Sequence, residues 1–242
     1  MHIILIDADP PSLIFNKKKE EAAREVGIEF RLHQFKKEVK EEEISSLISN
    51  LNSQDSCHGI VIHFPLPKEL NREKILAAIS DQKDVDGLTP KSRFIPAVAL
   101  AVLEILKFYK IRLKEKKVVV LGKGRYVGQS IGDLLRKEGG KVIFCTRKTK
   151  NIPQFTKKAD ILVSAVGQPH LVKKEMVREG AVVIDVGTAF KGGKLVGDCD
   201  FEKIKKVAGF ISPVPGGIGP LTVACLLENT IRATKLLTKN KI

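Results

Sequence analysis

Short apolar runs alternate with amphipathic stretches along the first half of the chain. The runs "HIILID" (2–7), "EFRLHQF" (29–35) and "GIVIHF" (59–64) predict strands. Hydrophobic residues at helical spacing predict helices over 12–26, 40–52, 72–80 and 95–109. Strands that alternate with helices are typical of an α/β fold with a parallel sheet.

The second half begins the alternation again after a charged segment with few apolar residues, "KIRLKEKK" (110–117). Apolar runs predict strands over 118–122, 141–146, 159–167, 181–187 and 209–214, and helices are predicted over 127–138 and 220–239. Strands that are apolar on both faces indicate a doubly wound, mostly parallel sheet. We therefore predict two α/β domains. The first is 1–112, completed by a C-terminal helix at 220–242 that returns to it, and the second is a Rossmann-like domain at 113–219.

Composition narrows the class of protein. The 242 residues are 43% hydrophobic and 29% charged, which is ordinary for a globular protein. No stretch approaches the roughly 20 apolar residues of a membrane span, and the N-terminus does not look like a signal peptide. The cysteines are widely spaced, which favours buried thiols over a metal site. We expect a cytoplasmic protein that binds neither metal nor membrane.

The formal charge of +14 raises nucleic acid as a possible partner. The basic residues, however, mostly interleave with acids, as on solvated helix faces. Two Tyr and no Trp also leave little surface for bases to stack on. A small anionic ligand explains the charge as well, so we predict no nucleic-acid partner and keep a basic nucleic-acid-binding module as the alternative.

A glycine-rich turn joins a strand to a helix in "VVVLGKGRYVGQSIGDLL". Gly122, Gly124 and Gly128 allow positive φ and let backbone N–H groups approach a phosphate. The spacing is one residue longer than the usual dinucleotide fingerprint, so a tight turn without a ligand is the alternative.

The next strand ends in "FCTRKTKN", with Arg147 and Lys148 and no acid. In dinucleotide-binding folds an acid here binds the ribose of NAD, whereas a basic residue accommodates the extra phosphate of NADP. Lys123 adds another cation. The sequence favours NADP over NAD, with a solvated charge run as the alternative.

Three weaker signals lie in the first half. Ser12 is a plausible N-cap that would put Phe15 and Lys19 one turn apart on a helix face. His63 follows a strand, and Asp86 lies with Asp84 on a turn. Taken singly, each has a structural explanation: a solvated lysine, a structural histidine and aspartates that bond their own backbone.

Together, these motifs resemble the methylenetetrahydrofolate dehydrogenase/cyclohydrolase family over nearly the whole chain. The resemblance rests on "DADPPS", "HFPLP", "KDVDGLTP", "AVVIDVG", "KLVGDCDFE" and above all "PVPGGIGPLTVACLLENT". It implies NADP-dependent oxidation of 5,10-methylenetetrahydrofolate to the methenyl compound, which water then opens to 10-formyltetrahydrofolate. It also implies a folate cleft between the domains and a homodimer formed through the cofactor domain.

The resemblance also implies roles for particular residues. Lys19 falls on the catalytic lysine, Asp86 on the aspartate that receives the pterin N–H groups, and His63 on a glutamine that tunes the lysine. Further substrate-binding positions are Phe15, Pro65, Leu66, Pro215, Gly216, Gly217 and Thr222. The cofactor-binding positions are Gly122, Lys123, Gly124, Gly128, Thr146, Arg147, Gly167 and Thr188, and no metal site is implied.

Several positions depart from the family pattern. Phe15 replaces a tyrosine, His63 replaces the glutamine, Lys123 replaces an arginine, and "PAVA" (96–99) replaces "PCTP". The two replacements around Lys19 raise an alternative, a dehydrogenase whose cyclohydrolase activity is weakened or lost.

Overall fold

The computed structural model describes residues 1–239 and divides into two compact units. One contains Met1–Ala97 together with the described residues from Val223 to Lys239, and the other is Val98–Thr222. The sequence predicts domain boundaries after residues 112 and 219. These boundaries stay a prediction.

The first unit contains a parallel sheet of three strands in the order β2–β1–β3. The strands are β1 (His2–Ile6), β2 (Arg31–Phe35) and β3 (Ile60–Ile62). The helices are α1 (Pro10–Glu25), α2 (Glu41–Ser53) and α3 (Arg72–Ala77), and the start of α4 (Ala97–Phe108) lies at the end of this segment. β1 is buried along its whole length, as expected of a central parallel strand.

The first helix begins earlier than predicted, and Ser12 is not its N-cap. Asp9 caps the helix, because its carboxylate accepts a hydrogen bond of 2.8 Å from the backbone N–H of Ser12. Pro10 and Pro11 fill the first helical positions, where a missing N–H costs nothing.

The second unit contains a five-stranded parallel sheet in the order β10–β7–β6–β4–β5, which confirms the predicted Rossmann-like sheet. The strands are β4 (Lys117–Leu121), β5 (Lys141–Cys145), β6 (Ile161–Ser164), β7 (Val182–Asp185) and β10 (Phe210–Ile211). The shorter helices are α5 (Ser130–Lys137), α6 (Pro153–Thr156) and α7 (Phe201–Ile204), with a 3-10 turn at Lys174–Met176.

Three details of this unit differ from the predictions. The strand expected over 209–214 covers only Phe210–Ile211, and a turn follows from Val214. The helix expected from 127 begins with a π-helical turn at Arg125–Gln129. An antiparallel hairpin, β8 (Ala189–Lys191) and β9 (Lys194–Val196), was not predicted, although the Gly-Gly pair between its strands is a hairpin signal.

The last helix, α8 (Ile218–Lys239), returns to the first unit as predicted. The amide of Asn229 donates to the carbonyls of Val85 at 2.9 Å and Ile95 at 3.1 Å. All four cysteines are buried, as expected. Within residues 1–239, none of the helices has both the length and the apolar character needed to cross a membrane.

Candidate functional site

Helix α1 carries the candidate catalytic lysine on its inner face. Lys19 is 6% exposed, whereas its neighbours Lys17 and Lys18 are exposed. Its ammonium lies 4.7 Å from the centre of the Phe15 ring, one helical turn away. Lys19 is therefore not the ordinary solvated lysine that a run of three lysines suggests.

His63 directly follows β3, and its backbone N–H donates to the carbonyl of Ile4 at 2.9 Å. His63 is 9% exposed, and its ring lies 6.4 Å from the Phe15 ring, centre to centre. The next residues turn away through a cis peptide bond before Pro65. His63, Pro65 and Leu66 line a cavity of about 360 Å³ together with Asp9 and Ser12.

The two turn aspartates have different environments. Asp84 is buried, and its carboxylate accepts hydrogen bonds from the backbone N–H groups of Gly87, Leu88 and Thr89 at 2.8–3.3 Å. Asp84 thus has the structural role that turn aspartates commonly have. Asp86 is partly buried, and its carboxylate interacts electrostatically with Lys19.

Burial dominates the ionisation of this cluster. It lowers the pKa of Lys19 to about 8, against the opposing attraction of Asp86. It raises the pKa of Asp86 to about 6, an effect that Lys19 opposes and Asp84 reinforces. Burial and the charge of Lys19 lower the pKa of His63 to about 4, against the attraction of Asp9. At neutral pH the imidazole is uncharged, so it does not repel Lys19.

Asn16 belongs to the same cluster and was missed by the sequence analysis. It is 1% exposed, and its amide nitrogen donates to the carbonyl of Ser12 at 2.9 Å. The same nitrogen lies 3.4 Å from Nδ1 of His63, and its amide oxygen accepts from Nζ of Lys19 at 3.5 Å. The available signal was its position three residues before Lys19, on the same helix face.

In the second unit, the glycine turn follows β4. Gly122 has a φ of +90°, and its N–H donates to the carbonyl of Cys145 at the end of the adjacent β5. A side chain on Gly128 would overlap the carbonyl of Gly122, so glycine is required there. Gly124 has open space around its Cα, which leaves its backbone accessible.

Basic residues follow the carboxyl ends of β4 and β5, which are neighbouring strands. Lys123, Arg147 and Lys148 are all exposed. Thr146 begins the turn after β5, and its hydroxyl accepts from the N–H of Lys148 at 3.3 Å. Exposed cations beside a glycine turn fit the phosphates of a dinucleotide, including an additional phosphate on the ribose.

Gly167 and Thr188 follow β6 and β7 at the same edge of the sheet. A Cβ on Gly167 would lie 3.7 Å from the carbonyl oxygen of Thr188, so the two turns are adjacent. The fully buried Asp198 fixes the first of these turns, because its carboxylate accepts from Ser164 Oγ, Val166 N and Gln168 N at 2.7–2.8 Å. The sequence motif that contains Asp198 did not predict this function.

The "PVPGG" loop follows β10. The peptide bond before Pro215 is cis, and Gly216 has a φ of +104°. A side chain on Gly217 would overlap the carbonyl of Pro213, so Gly217 has a structural requirement of its own. Thr222 lies in α8, and its hydroxyl donates to the carbonyl of Ile218 at 2.9 Å. These residues belong to the second unit, whereas Lys19, His63 and Asp86 belong to the first.

Two family models together match most of the chain. The model described as tetrahydrofolate dehydrogenase/cyclohydrolase, catalytic domain, matches residues 1–86. The model for the NAD(P)-binding domain of the same family matches residues 96–238.

Curated relatives and solved structures agree with these matches. The bifunctional protein FolD of Aquifex aeolicus (strain VF5) is 41% identical over 243 residues, which is 96% of this chain and 84% of that protein. The crystal structure of FolD from Campylobacter jejuni has a TM-score of 0.92 at 38% identity and covers 97% of this chain and 87% of that one. FolD of Trypanosoma brucei, solved with NADP cofactor and an inhibitor, has a TM-score of 0.93 at 33% identity and covers 97% of this chain and 86% of that one.

Proposed function

Because the chain belongs to the tetrahydrofolate dehydrogenase/cyclohydrolase family, we propose that it catalyses both reactions that the family name describes. It oxidises 5,10-methylenetetrahydrofolate with NADP and hydrolyses the methenyl product to 10-formyltetrahydrofolate. The observation that carries the proposal is the burial of Lys19, whose ammonium lies against the Phe15 ring and interacts with the carboxylate of Asp86.

Lys19 assists the hydrolysis. The oxygen of water bonds to the methenyl carbon, the bond from that carbon to N5 breaks, and one proton is released. A lysine with a pKa of about 8 exists in both protonation states near neutral pH, so it can take up and return a proton. Asp86 accepts a pair of hydrogen bonds from the pterin N–H groups, and the ionised carboxylate offers both of its oxygens for them.

NADP binds to the glycine turn of the second unit. When bound, NADP accepts a hydride from the methylene carbon. Gly122, Gly124 and Gly128 hold the pyrophosphate, and Lys123 and Arg147 bind the additional phosphate. The absence of an acid after β5 and the exposure of these cations support NADP over NAD. Thr146, Gly167 and Thr188 complete the cofactor site.

The other substrate contacts follow from family membership. Phe15 stacks on the folate, and Pro65, Leu66, Pro215, Gly216, Gly217 and Thr222 contact it. We also propose that 1–112 with 220–242 forms the folate domain, that 113–219 forms the cofactor domain, and that the protein is a cytoplasmic homodimer. Light scattering coupled to size-exclusion chromatography tests the dimer.

A dehydrogenase without cyclohydrolase activity is the less favoured function. This alternative arises because Phe15 and His63 replace the family's tyrosine and glutamine. The Phe15 ring, however, still contacts the Lys19 ammonium. The low pKa of His63 removes the repulsion that a charged imidazole would cause. The residues that replace the tyrosine and the glutamine are thus compatible with a working lysine.

A coupled assay tests the proposal. Purified protein is given 5,10-methylenetetrahydrofolate with NADP or NAD, and the methenyl absorbance is followed together with NADPH or NADH. We expect NADPH formation and hydrolysis of the methenyl compound above its rate in buffer. Accumulation of the methenyl compound without faster hydrolysis would exclude the second activity. A melting temperature raised by an oligonucleotide but not by NADP would favour the nucleic-acid-binding alternative.

A further inference from the structure

We propose that Asn16 is a positioning residue that holds His63 in one tautomer and orients the amine of Lys19. The role of Lys19 in this inference rests on the proposed function, whereas the tautomer of His63 does not. Asn16 and His63 would then divide between them the task that the family's glutamine performs with one amide group.

The carbonyl of Ser12 fixes the orientation of the Asn16 amide. A carbonyl oxygen can only accept a hydrogen bond, so the amide atom 2.9 Å from it must be the NH2 group. The amide oxygen is therefore the atom that lies 3.5 Å from Nζ of Lys19. Reversing the amide would place two acceptors together at Ser12 and a donor against the lysine, and both contacts would be lost.

The same NH2 group defines the state of His63. Its nitrogen lies 3.4 Å from Nδ1 of His63, so Nδ1 can take part in a hydrogen bond there only as an acceptor. A neutral imidazole with an unprotonated Nδ1 carries its hydrogen on Nε2. A proton on Nδ1 would face the amide hydrogens of Asn16, so Asn16 opposes both the other tautomer and the charged ring.

Two charged groups act on the His63 ring in opposite directions. Lys19 on α1 disfavours a charged imidazole, and Asp9, before the same helix, favours it. Because Asn16 is 1% exposed, its amide depends on these partners rather than on water. With Nδ1 facing Asn16, the N–H of the His63 ring is on Nε2, and His63 also lines the cavity with Pro65 and Leu66.

Nitrogen NMR of the imidazole tests the tautomer directly. Long-range proton–nitrogen correlation spectra are recorded for the wild type and Asn16→Leu near pH 7, and His63→Gln identifies the His63 signals. We expect an unprotonated Nδ1 and a protonated Nε2 in the wild type, and a mixture of both tautomers in Asn16→Leu. A protonated Nδ1 in the wild type would overturn the inference, whether or not Asn16→Leu folds.

Asn52→Leu is the matched control, because the Asn52 amide bonds to Ala78 and Ser80 instead of the catalytic cluster. We expect it to leave the His63 spectrum unchanged. We also expect Asn16→Leu to lower kcat for hydrolysis at least ~10-fold while the dehydrogenase KM for folate changes less than about twofold. If the wild type does not hydrolyse the methenyl compound, the proposed hydrolytic activity is wrong. The NMR measurement of the His63 tautomer still tests the inference about Asn16. If the wild type hydrolyses the compound and Asn16→Leu matches it in rate and spectrum, only the inference fails.

Discussion

Replacing Lys19 with methionine should stabilise the protein while it removes the hydrolytic activity. Methionine has a similar length and no charge, so it fills the same space without the cost of burying an ammonium group. The pKa of Lys19 falls from its usual 10.5 to about 8 in the folded chain. At ~1.36 kcal/mol per pKa unit, this difference destabilises the folded state by roughly 3 kcal/mol at pH 7.

The gain is smaller than this figure because Lys19→Met also removes the contacts of the ammonium with the Phe15 ring and with the amide oxygen of Asn16. Each contact contributes about 1 kcal/mol, so the net gain is about 1 kcal/mol. With a slope near 2 kcal/mol per molar urea, the midpoint of unfolding should rise by ~0.5 M. Far-UV circular dichroism measures it, and Lys18→Met is the control because Lys18 is exposed and should leave the midpoint unchanged.

The pH dependence gives the decisive comparison. Between the folded pKa of about 8 and the unfolded value of 10.5, the unfolded chain binds more protons at Lys19, so wild-type stability rises with pH. The difference in the free energy of unfolding between the wild type and Lys19→Met should therefore be largest below pH 8 and close to zero at pH 10.5. A Lys19→Met protein that is no more stable than the wild type at pH 7, or a gap that persists at pH 10.5, would refute the reasoning.

Three further predictions concern other buried charges. Lys83→Met should destabilise the protein by about 3 kcal/mol in urea unfolding, the opposite of Lys19→Met. The reason is that the Lys83 ammonium donates to the carbonyls of Leu51, Asn52 and Gln54 at 2.7–3.0 Å. Asp198→Ala leaves three donors without their acceptor. It should lower the free energy of unfolding by at least about 3 kcal/mol and weaken NADP binding measured by calorimetry. The surface variant Asp133→Ala should lower the free energy of unfolding by less than about 1 kcal/mol. Dehydrogenase kcat/KM should fall as the pH drops below about 6, because Asp86 becomes protonated. The Asp86→Asn variant should have low activity at every pH, without this fall.

Periodicity predicted the strands well because a buried parallel strand must be apolar on both faces. It failed where side-chain chemistry decides the boundary. Asp9 and Ser12 are both good capping residues, and the choice depended on the two prolines between them. The strand predicted to 214 ends earlier, since Pro213 has no N–H to donate to a neighbouring strand.

The motifs identified the site residues, but they did not predict the burial or the ionisation of these side chains. Three consecutive lysines look alike in a sequence, and only the packing of α1 shows that Lys19 is the buried one. Asn16 and His63 are 47 residues apart, and Asp198 bonds to groups 30–34 residues away. No local pattern reports such contacts, because they depend on which strand ends become neighbours in the folded sheet.

The return of α8 to the first unit has a consequence for the order in which the chain folds during synthesis. Asn229 bonds to Val85 and Ile95, partners made 144 and 134 residues earlier. The first unit therefore stays incomplete on the ribosome until α8 emerges, although residues 1–97 are synthesised before the second unit. The second unit is continuous in the sequence and can finish folding before it. The half of the protein that is synthesised first is completed last, and until then its apolar surface is exposed to chaperones and to neighbouring nascent chains.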